Sequence, residues 1–324
     1  MTQPDYIKRG GDLVMAPPLE LNDAIMYSFL VAADLSALQT ICDQQLNAVC
    51  GPDIIYKPLL PFAAIVCADI ADSYSTVPPD SEKGWMSERD FGVWIPVVQG
   101  TMKDGTWRAG RIGWYLPYVF VDNVAAMVTG REVFGFFKQT ATLMMPPAPD
   151  APGVFSVDAL VIAQYSPESQ AQVLRLLTLT STETAPAPNG SWAGDVKRAF
   201  EDVWGKLKDL IGDVRGLPIP IWDLLKNALE DLITGDVPMV FLKQFRDATD
   251  PTKACYQAII EAPAHLVKFE DGWFTHPHDI TIVPVDSHPI AKECGLASGT
   301  LRAELGFWCR MNFLMKAGKV IAER

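Results

Sequence analysis

The sequence predicts a mainly β protein of the α+β kind, a large closed or nearly closed β structure with helices on its outside. Three observations carry that prediction. Short runs rich in β-branched and aromatic residues recur along most of the chain, separated by Gly, Pro and Asp-Gly turn chemistry. Apart from one helix near the start, helical three-and-four spacing falls in the stretch after residue 190, where two helices form a hairpin inserted between strands. The length, 324 residues of which 49% are hydrophobic, suffices for a sizeable core in one large domain or two smaller ones.

Residues 1–21 read as irregular, closing on Pro17-Pro18. Ala24 to Ala32 is a strand, and Asp34 is placed to cap a helix from Leu35 to Leu46 with Leu35, Leu38 and Ile41 on one face. Ile54 to Ile70 supplies one or two strands, the first demoted to an edge by Pro58 and Pro61. Residues 72–92 are polar and loop-like, and they carry Glu88 and Asp90. Val93 to Val98, Trp107 to Tyr118, Thr140 to Met145 and Gly153 to Tyr165 read as strands, whereas Ser169 to Leu177 fits a helix or a strand.

A linker, Thr184 to Gly190, precedes the helical hairpin. Its first helix has Val196, Ala199, Val203, Leu207 and Leu210 on one face, and its second, Ile221 to Ile233, has Trp222, Leu225 and Leu229. That stripe, with Trp192 and Trp204, is suited to packing on the β structure or on a neighbouring subunit. Met239 to Phe245, Ala254 to Ala262, Leu266 to Phe269 and Ile280 to Val285 return to strand, while Ala291 to Gly295 is a turn or short helix. For Leu301 to Lys319 periodicity does not choose between strand and helix.

Charge narrows the partners. There are 39 acids against 27 Lys and Arg, a formal charge of -12, which argues against nucleic acid and against an anionic membrane surface. Local basic pockets for a carboxylate substrate remain open. The polar N-terminus carries no apolar core of signal-peptide length, and no apolar run is long enough to span a bilayer, so a soluble cytoplasmic protein is expected. The six cysteines form no C-x-x-C pair and read as free thiols. No Gly-rich phosphate loop, dinucleotide fingerprint or G-x-S-x-G elbow is present, and no cofactor is expected. His276 and His278 share one strand face, but no third ligand accompanies them, so no metal is expected either.

The stretch that organises the chain is Gly130-Arg131-Glu132-Val133-Phe134-Gly135-Phe136-Phe137-Lys138-Gln139. Two readings of its lysine are open. Lys138 can end a buried strand with its stem on apolar surface and its head in water. Alternatively it points inward, where desolvation lowers its pKa and leaves an amine able to attack a carbonyl and form a Schiff base.

From Asp122-Asn123 to Lys138 the chain resembles the active-site segment of the acetoacetate decarboxylase superfamily, in which the pattern is roughly D-N-x6-G-R-E-x3-aromatic-Pro-Lys. The spacing is unbroken. Weaker likeness extends over most of the chain, so residues 1–324 are read as one acetoacetate decarboxylase-like domain, with residues 186–236 a hairpin insertion that has no counterpart in short members. The resemblance implies a mostly antiparallel, barrel-like β structure around an apolar cavity, a homo-oligomer, and a catalytic Schiff-base lysine at Lys138. A family glutamate lying before an Ile-Pro pair falls on Asp90, with Glu88 beside it, as acid/base candidates. Arg131, Glu132, Phe134, Phe136, Phe137 and Gln139 are the residues expected to shape the substrate pocket.

The sequence also departs from the family. The second lysine that helps depress the pKa is replaced by Gln139, the proline before the lysine by Phe137, an N-terminal arginine by Ala24 and a second glutamate by Ala63. Any depression of the Lys138 pKa must then come from burial. The implied activity is that of a lyase acting on a β-keto acid or related carbonyl compound, by decarboxylation or by aldol or dehydration chemistry. The competing reading is a non-catalytic small-molecule binding protein with the same cavity.

Overall fold

The computed structural model describes residues 4–149, 151, 153–183, 188–211 and 236–324. The first half of the chain runs β1 (Leu19–Ala32), α1 (Leu35–Ile41), a π-helical turn (Cys42–Asn47), α2 (Ala48–Cys50), β2 (Ile54–Pro58), β3 (Phe62–Ser75), β4 (Met86–Lys103) and β5 (Thr106–Val121). Next come α3 (Val124–Thr129), a second π-helical turn (Gly130–Phe134), β6 (Lys138–Met144), β7 (Val154–Val161), β8 (Gln172–Ser181) and α4 (Val196–Ile211). The remainder is β9 (Asp236–Arg246), β10 (Ala254–Phe274), β11 (His278–Ile282), a one-turn helix (Ile290–Glu293), β12 (Thr300–Ala303), β13 (Leu305–Met315) and β14 (Lys319–Glu323).

Seven strands close into a barrel in the order β5, β9, β10, β13, β1, β3, β4 and back to β5. Its pairings are antiparallel except at one seam, where β5 and β9 meet in parallel over Trp114↔Met239 and Tyr115↔Val240. A second sheet, β6-β7-β8-β11-β12, leaves the barrel through a parallel pairing of β5 with β6, from Val119↔Lys138 to Val121↔Thr140. Closure removes the unpaired edges that an open sheet of this size would carry.

Side-chain alternation gives the barrel two apolar faces. On β1, Met26, Ser28 and Leu30 line an internal cavity, whereas Tyr27, Phe29 and Val31 point outward into the main core. On β4, Trp94 and Pro96 point in while Phe91, Val93, Ile95 and Val97 point out. The outward residues are covered by the second sheet and by Leu38 and Ile41 of α1. Tyr27 and Phe29 meet Phe155 of β7 edge-on, with centroids 4.9 and 5.3 Å apart. Strands buried on both faces read as near-continuous apolar runs rather than strict alternation, which is the pattern in this sequence.

The helix expected over Leu35 to Leu46 starts as foreseen, with Asp34 Oδ1 accepting from the Ala37 N–H at 2.9 Å. It then widens into the π turn, whose last residue, Asn47, exchanges side-chain hydrogen bonds with the Tyr56 backbone at 2.7 and 3.0 Å. The segment 72–92 is not all loop: β3 runs to Ser75 and β4 starts at Met86, so Glu88 and Asp90 lie on a strand. Their acidity hid the strand, because inward acids break the apolar pattern that marks one. Ser169 to Leu177 resolves as strand from Gln172 onward, and Leu301 to Lys319 as strands β12 and β13 with the start of β14. The two runs expected at Ala254 to Phe269 are one strand, β10, whose pairing with β9 continues through Pro263 to His265 and which carries bulges at Leu266/Lys268 and Phe269/Asp271.

The first helix of the expected hairpin is α4. The second, Ile221 to Ile233 with Trp222, lies outside the described residues, as does most of the linker. All six cysteines are free. His278 packs against Phe29 at 4.6 Å while the His276 ring faces Glu183 at 3.0 Å; among the described residues no group of metal-ligating side chains forms. No helix among them is long and apolar enough to cross a membrane.

The sheet-on-barrel packing makes a prediction. Phe29→Ala, at a fully buried site, is expected to cost about 3–5 kcal/mol by the cavity it leaves, whereas exposed Ile7→Ala is expected to stay within about 0.5 kcal/mol of the parent. Urea unfolding measured on both variants checks this.

Candidate active site

Lys138 is the first residue of β6, paired with Val119 of β5, and its side chain crosses β5 toward β4. There Glu88 and Asp90, two apart on a strand, present both carboxylates to the same face. Lys138 Nζ lies 3.3 Å from Glu88 Oε2 and 3.2 Å from Asp90 Oδ2. Lys138 and Glu88 are each 6% exposed, so the ammonium does not snorkel to water. Asp90 Oδ1 is buried and has no hydrogen-bond partner among the described residues.

The turn before Lys138 explains its glycines. The Lys138 stem lies flat on Gly130, where a Cβ would come within 2.6 Å of Lys138 Cδ. Gly135 ends the π turn at φ +96°, a left-handed conformation, and a Cβ there would sit 2.7 Å from the Lys243 Cα. Asn123 starts the segment by accepting from the Ala125 and Ala126 N–H groups at 2.8 and 3.2 Å, and Arg131 closes it by donating to the Lys138 carbonyl at 3.1 Å. The motif residues thus fix the backbone from which Lys138 departs.

Phe134 and Phe136 line the cavity with Lys138, and the Phe136 ring lies 5.3 Å from Nζ. The other expected pocket residues point elsewhere. Gln139, the next residue on a strand, faces the opposite side, where its Oε1 accepts from His288 Nε2 at 2.7 Å, so its amide does not reach Lys138's pocket. Phe137 is 50% exposed with Arg131 over its ring at 5.4 Å, and Glu132 meets the Tyr6 hydroxyl at 3.5 Å. Ala24 and Ala63 are both buried, and Ala63 lines the cavity.

The cavity has a volume of about 470 Å³, within the range of small-molecule sites. Met15 lines it near Lys138, its N–H donating to Thr129 Oγ1 at 3.1 Å. At the other end, Trp204 and Leu207 of α4 pack with Leu30, Leu60, Phe62 and Ile112. That α4 forms part of the cavity wall was missed in the sequence, although its apolar stripe was legible.

Burial and charge oppose one another at the cluster. Burial acts to lower the Lys138 pKa, but Asp90 and Glu88 together raise it further, so the net shift is upward, contrary to the expected depression. Burial raises the Asp90 pKa to about 7, with Lys138 pulling it down and Glu88 pushing it up. Thus the cluster combines an ammonium with an acid poised to exchange a proton near neutrality.

Neither a protein-family model nor a curated protein matches the sequence. Solved structures do match. An acetoacetate decarboxylase-like enzyme from Sphingomonas wittichii RW1 aligns over 100% of both chains with a TM-score of 0.58 at 14% identity. Acetoacetate decarboxylase from Legionella pneumophila aligns over 100% of this chain and 93% of its own, with a TM-score of 0.57 at 13% identity. The enduracididine biosynthesis enzyme MppR, complexed with the condensation product of pyruvate and imidazole 4-carboxaldehyde, aligns over 97% of this chain and 92% of its own, with a TM-score of 0.55 at 14% identity. The chain therefore has the acetoacetate decarboxylase-like fold.

The raised Asp90 pKa has a consequence for stability. Between the ordinary carboxylate value of 3.8 and about 7, the folded state keeps a proton that the unfolded state has released, so stability falls as pH rises through that window. Asp90→Asn is expected to flatten the fall, and in the parent protein an infrared carboxylic-acid band is expected to vanish with a midpoint near pH 7 and to be absent from the variant.

Proposed function

We propose that this protein is a Schiff-base-forming lyase that acts on a carbonyl compound through Lys138. The observation that carries the proposal is the buried amine held 3.2–3.3 Å from two carboxylates at the end of an apolar cavity. In this reading Asp90 and Glu88 are the acid/base pair, Phe134 and Phe136 keep the site dry, and Arg131 and Glu132 brace the turn.

The amine must lose a proton before it attacks. Moving that proton from Lys138 to Asp90 converts an ion pair into two neutral groups, a change that exclusion of water favours. The neutral nitrogen then bonds to the carbonyl carbon, and the carbonyl oxygen takes the proton from Asp90 to give a carbinolamine. Glu88 accepts the second nitrogen proton. Returned to the carbinolamine hydroxyl, that proton lets water leave, and the nitrogen lone pair forms the C=N bond. The nitrogen keeps its third proton, so the product is an iminium, whose charge lies beside the two carboxylates. Loss of a neighbouring C–H proton, or cleavage of a neighbouring C–C bond, leaves its electron pair in an enamine. This sink serves aldol, dehydration and decarboxylation chemistry alike.

The replacement of the family arginine by Ala24 favours the aldol and dehydration branch over loss of carbon dioxide.

Cyanoborohydride added with a panel of ketones, aldehydes and keto acids is expected to leave a reduced adduct on Lys138, located by peptide mass spectrometry. Lys138→Met is expected to abolish the adduct, and Asp90→Asn to slow its formation by about 10²–10⁴-fold. Labelling of Lys138→Met at the parent rate would refute the assignment. Absence of any adduct, in protein that still takes up ketones, would point to a binding protein instead.

A further inference from the structure

Resting on that reading of Lys138, we infer that the carbonyl compound this site takes is elongated, apolar and uncharged, with its carbonyl at Lys138 and its tail directed along the barrel to α4. A small keto acid is the wrong shape and the wrong charge for the cavity.

The charge argument comes from the lining. Among the described lining residues Lys138 is the sole cation, against three carboxylates, Glu88, Asp90 and Asp236. Two of these already hold the ammonium. The third is committed elsewhere, to Lys316 at 2.7 Å and His265 at 2.8 Å. A substrate carboxylate would find no free counter-cation, and it would approach the acids in a medium that barely screens repulsion. A neutral carbonyl oxygen meets no such barrier. Protonated, Asp90 can donate to it, and the unpartnered Oδ1 lies at the same head of the cavity.

The shape argument comes from the strands. Glu88, Asp90, Gly92, Trp94 and Pro96 of β4 all line the cavity, a run of about 26 Å at roughly 3.3 Å per residue. Allowing for the strand tilt of a closed barrel, that is about 20 Å along its axis. Ser73 and Thr129 accompany the ionised cluster at the Lys138 end; the remaining hydroxyl and carboxylate side chains of the described lining are Ser28 and Asp236, the latter already paired with Lys316, and Trp204 and Leu207 line the far end. An apolar tail gains from every methylene it buries, and expulsion of water by that tail favours the neutral form of the Lys138–Asp90 pair.

The test is a homologous series of methyl ketones from acetone to methyl undecyl ketone, each compared with its tail-carboxylated analogue, trapped on the full-length protein with cyanoborohydride. The expected result is a half-saturating concentration that falls about fourfold per added methylene until the tail reaches α4. Tail-carboxylated analogues are expected to bind at least about tenfold more weakly. No dependence on chain length, or equal trapping of the carboxylated analogues or of acetoacetate, would overturn the inference while leaving the Schiff-base reading intact. If nothing is trapped, the Schiff-base reading fails by itself, and tryptophan fluorescence then decides the ligand class. A ketone brominated at its tail is expected to quench the parent more than Trp204→Phe; equal quenching of both, or none, would overturn the inference.

Discussion

The structure turns on one constraint: an ammonium is held inside an apolar barrel. A lone buried charge of this kind costs several kcal/mol even after the protein relaxes, and it would ordinarily snorkel or neutralise. Lys138 does neither, because Glu88 and Asp90 enter from the facing strand at 3.3 and 3.2 Å. Their position follows from the ring of strands. β5 carries Lys138's strand on one side and β4 on the other, so the lysine reaches the acids across the width of one strand. Removing Lys138 would leave two carboxylates without a counter-cation, and removing both acids would leave a lone buried ammonium, which is why the three have to be considered together.

The barrel can hold this cluster because its two faces have separate tasks. The outward side chains of β1, β3, β4 and β5 form the main core with the second sheet and α1, and most of the apolar packing resides there. The inward side chains are thereby freed from filling space and instead leave a cavity of about 470 Å³. In a small barrel the interior is the core. Here the core has moved outside, under the second sheet, and the interior is available for a ligand.

Much of this was legible in the sequence. The strand runs, the Asp34 cap and the amphipathic stripe of α4 declared themselves by local chemistry, and the spacing from Asp122-Asn123 to Lys138 marked the turn that presents the lysine. What escaped were features set by pairing across the chain. Glu88 and Asp90 sat in a segment that looked like loop, because strand polarity inverts where a strand faces a polar cluster. The role of α4 as a cavity wall was hidden for a similar reason: a stripe says that a helix face is buried, not against what. The long β10 reads as two runs because Pro263-Ala264-His265 interrupts the apolar pattern without interrupting the strand.

The direction of the lysine's pKa shift is the most instructive departure. Reading outward from Lys138 along the chain, the neighbour is a neutral glutamine and burial is the only influence in view, so a depressed pKa followed. On a strand, however, adjacent residues point to opposite faces, and Gln139 spends its amide on His288 beneath the second sheet. The groups that share Lys138's surroundings are 48 and 50 residues away in sequence, and both are acids. They outweigh burial and hold the proton on nitrogen. A lysine so held is a poor nucleophile until its charge and that of Asp90 are cancelled together. Since the ion pair draws part of its stability from whatever water reaches the cluster, and the neutral pair draws little, reactivity in such a site is governed less by any fixed neighbour than by what fills the cavity beside it.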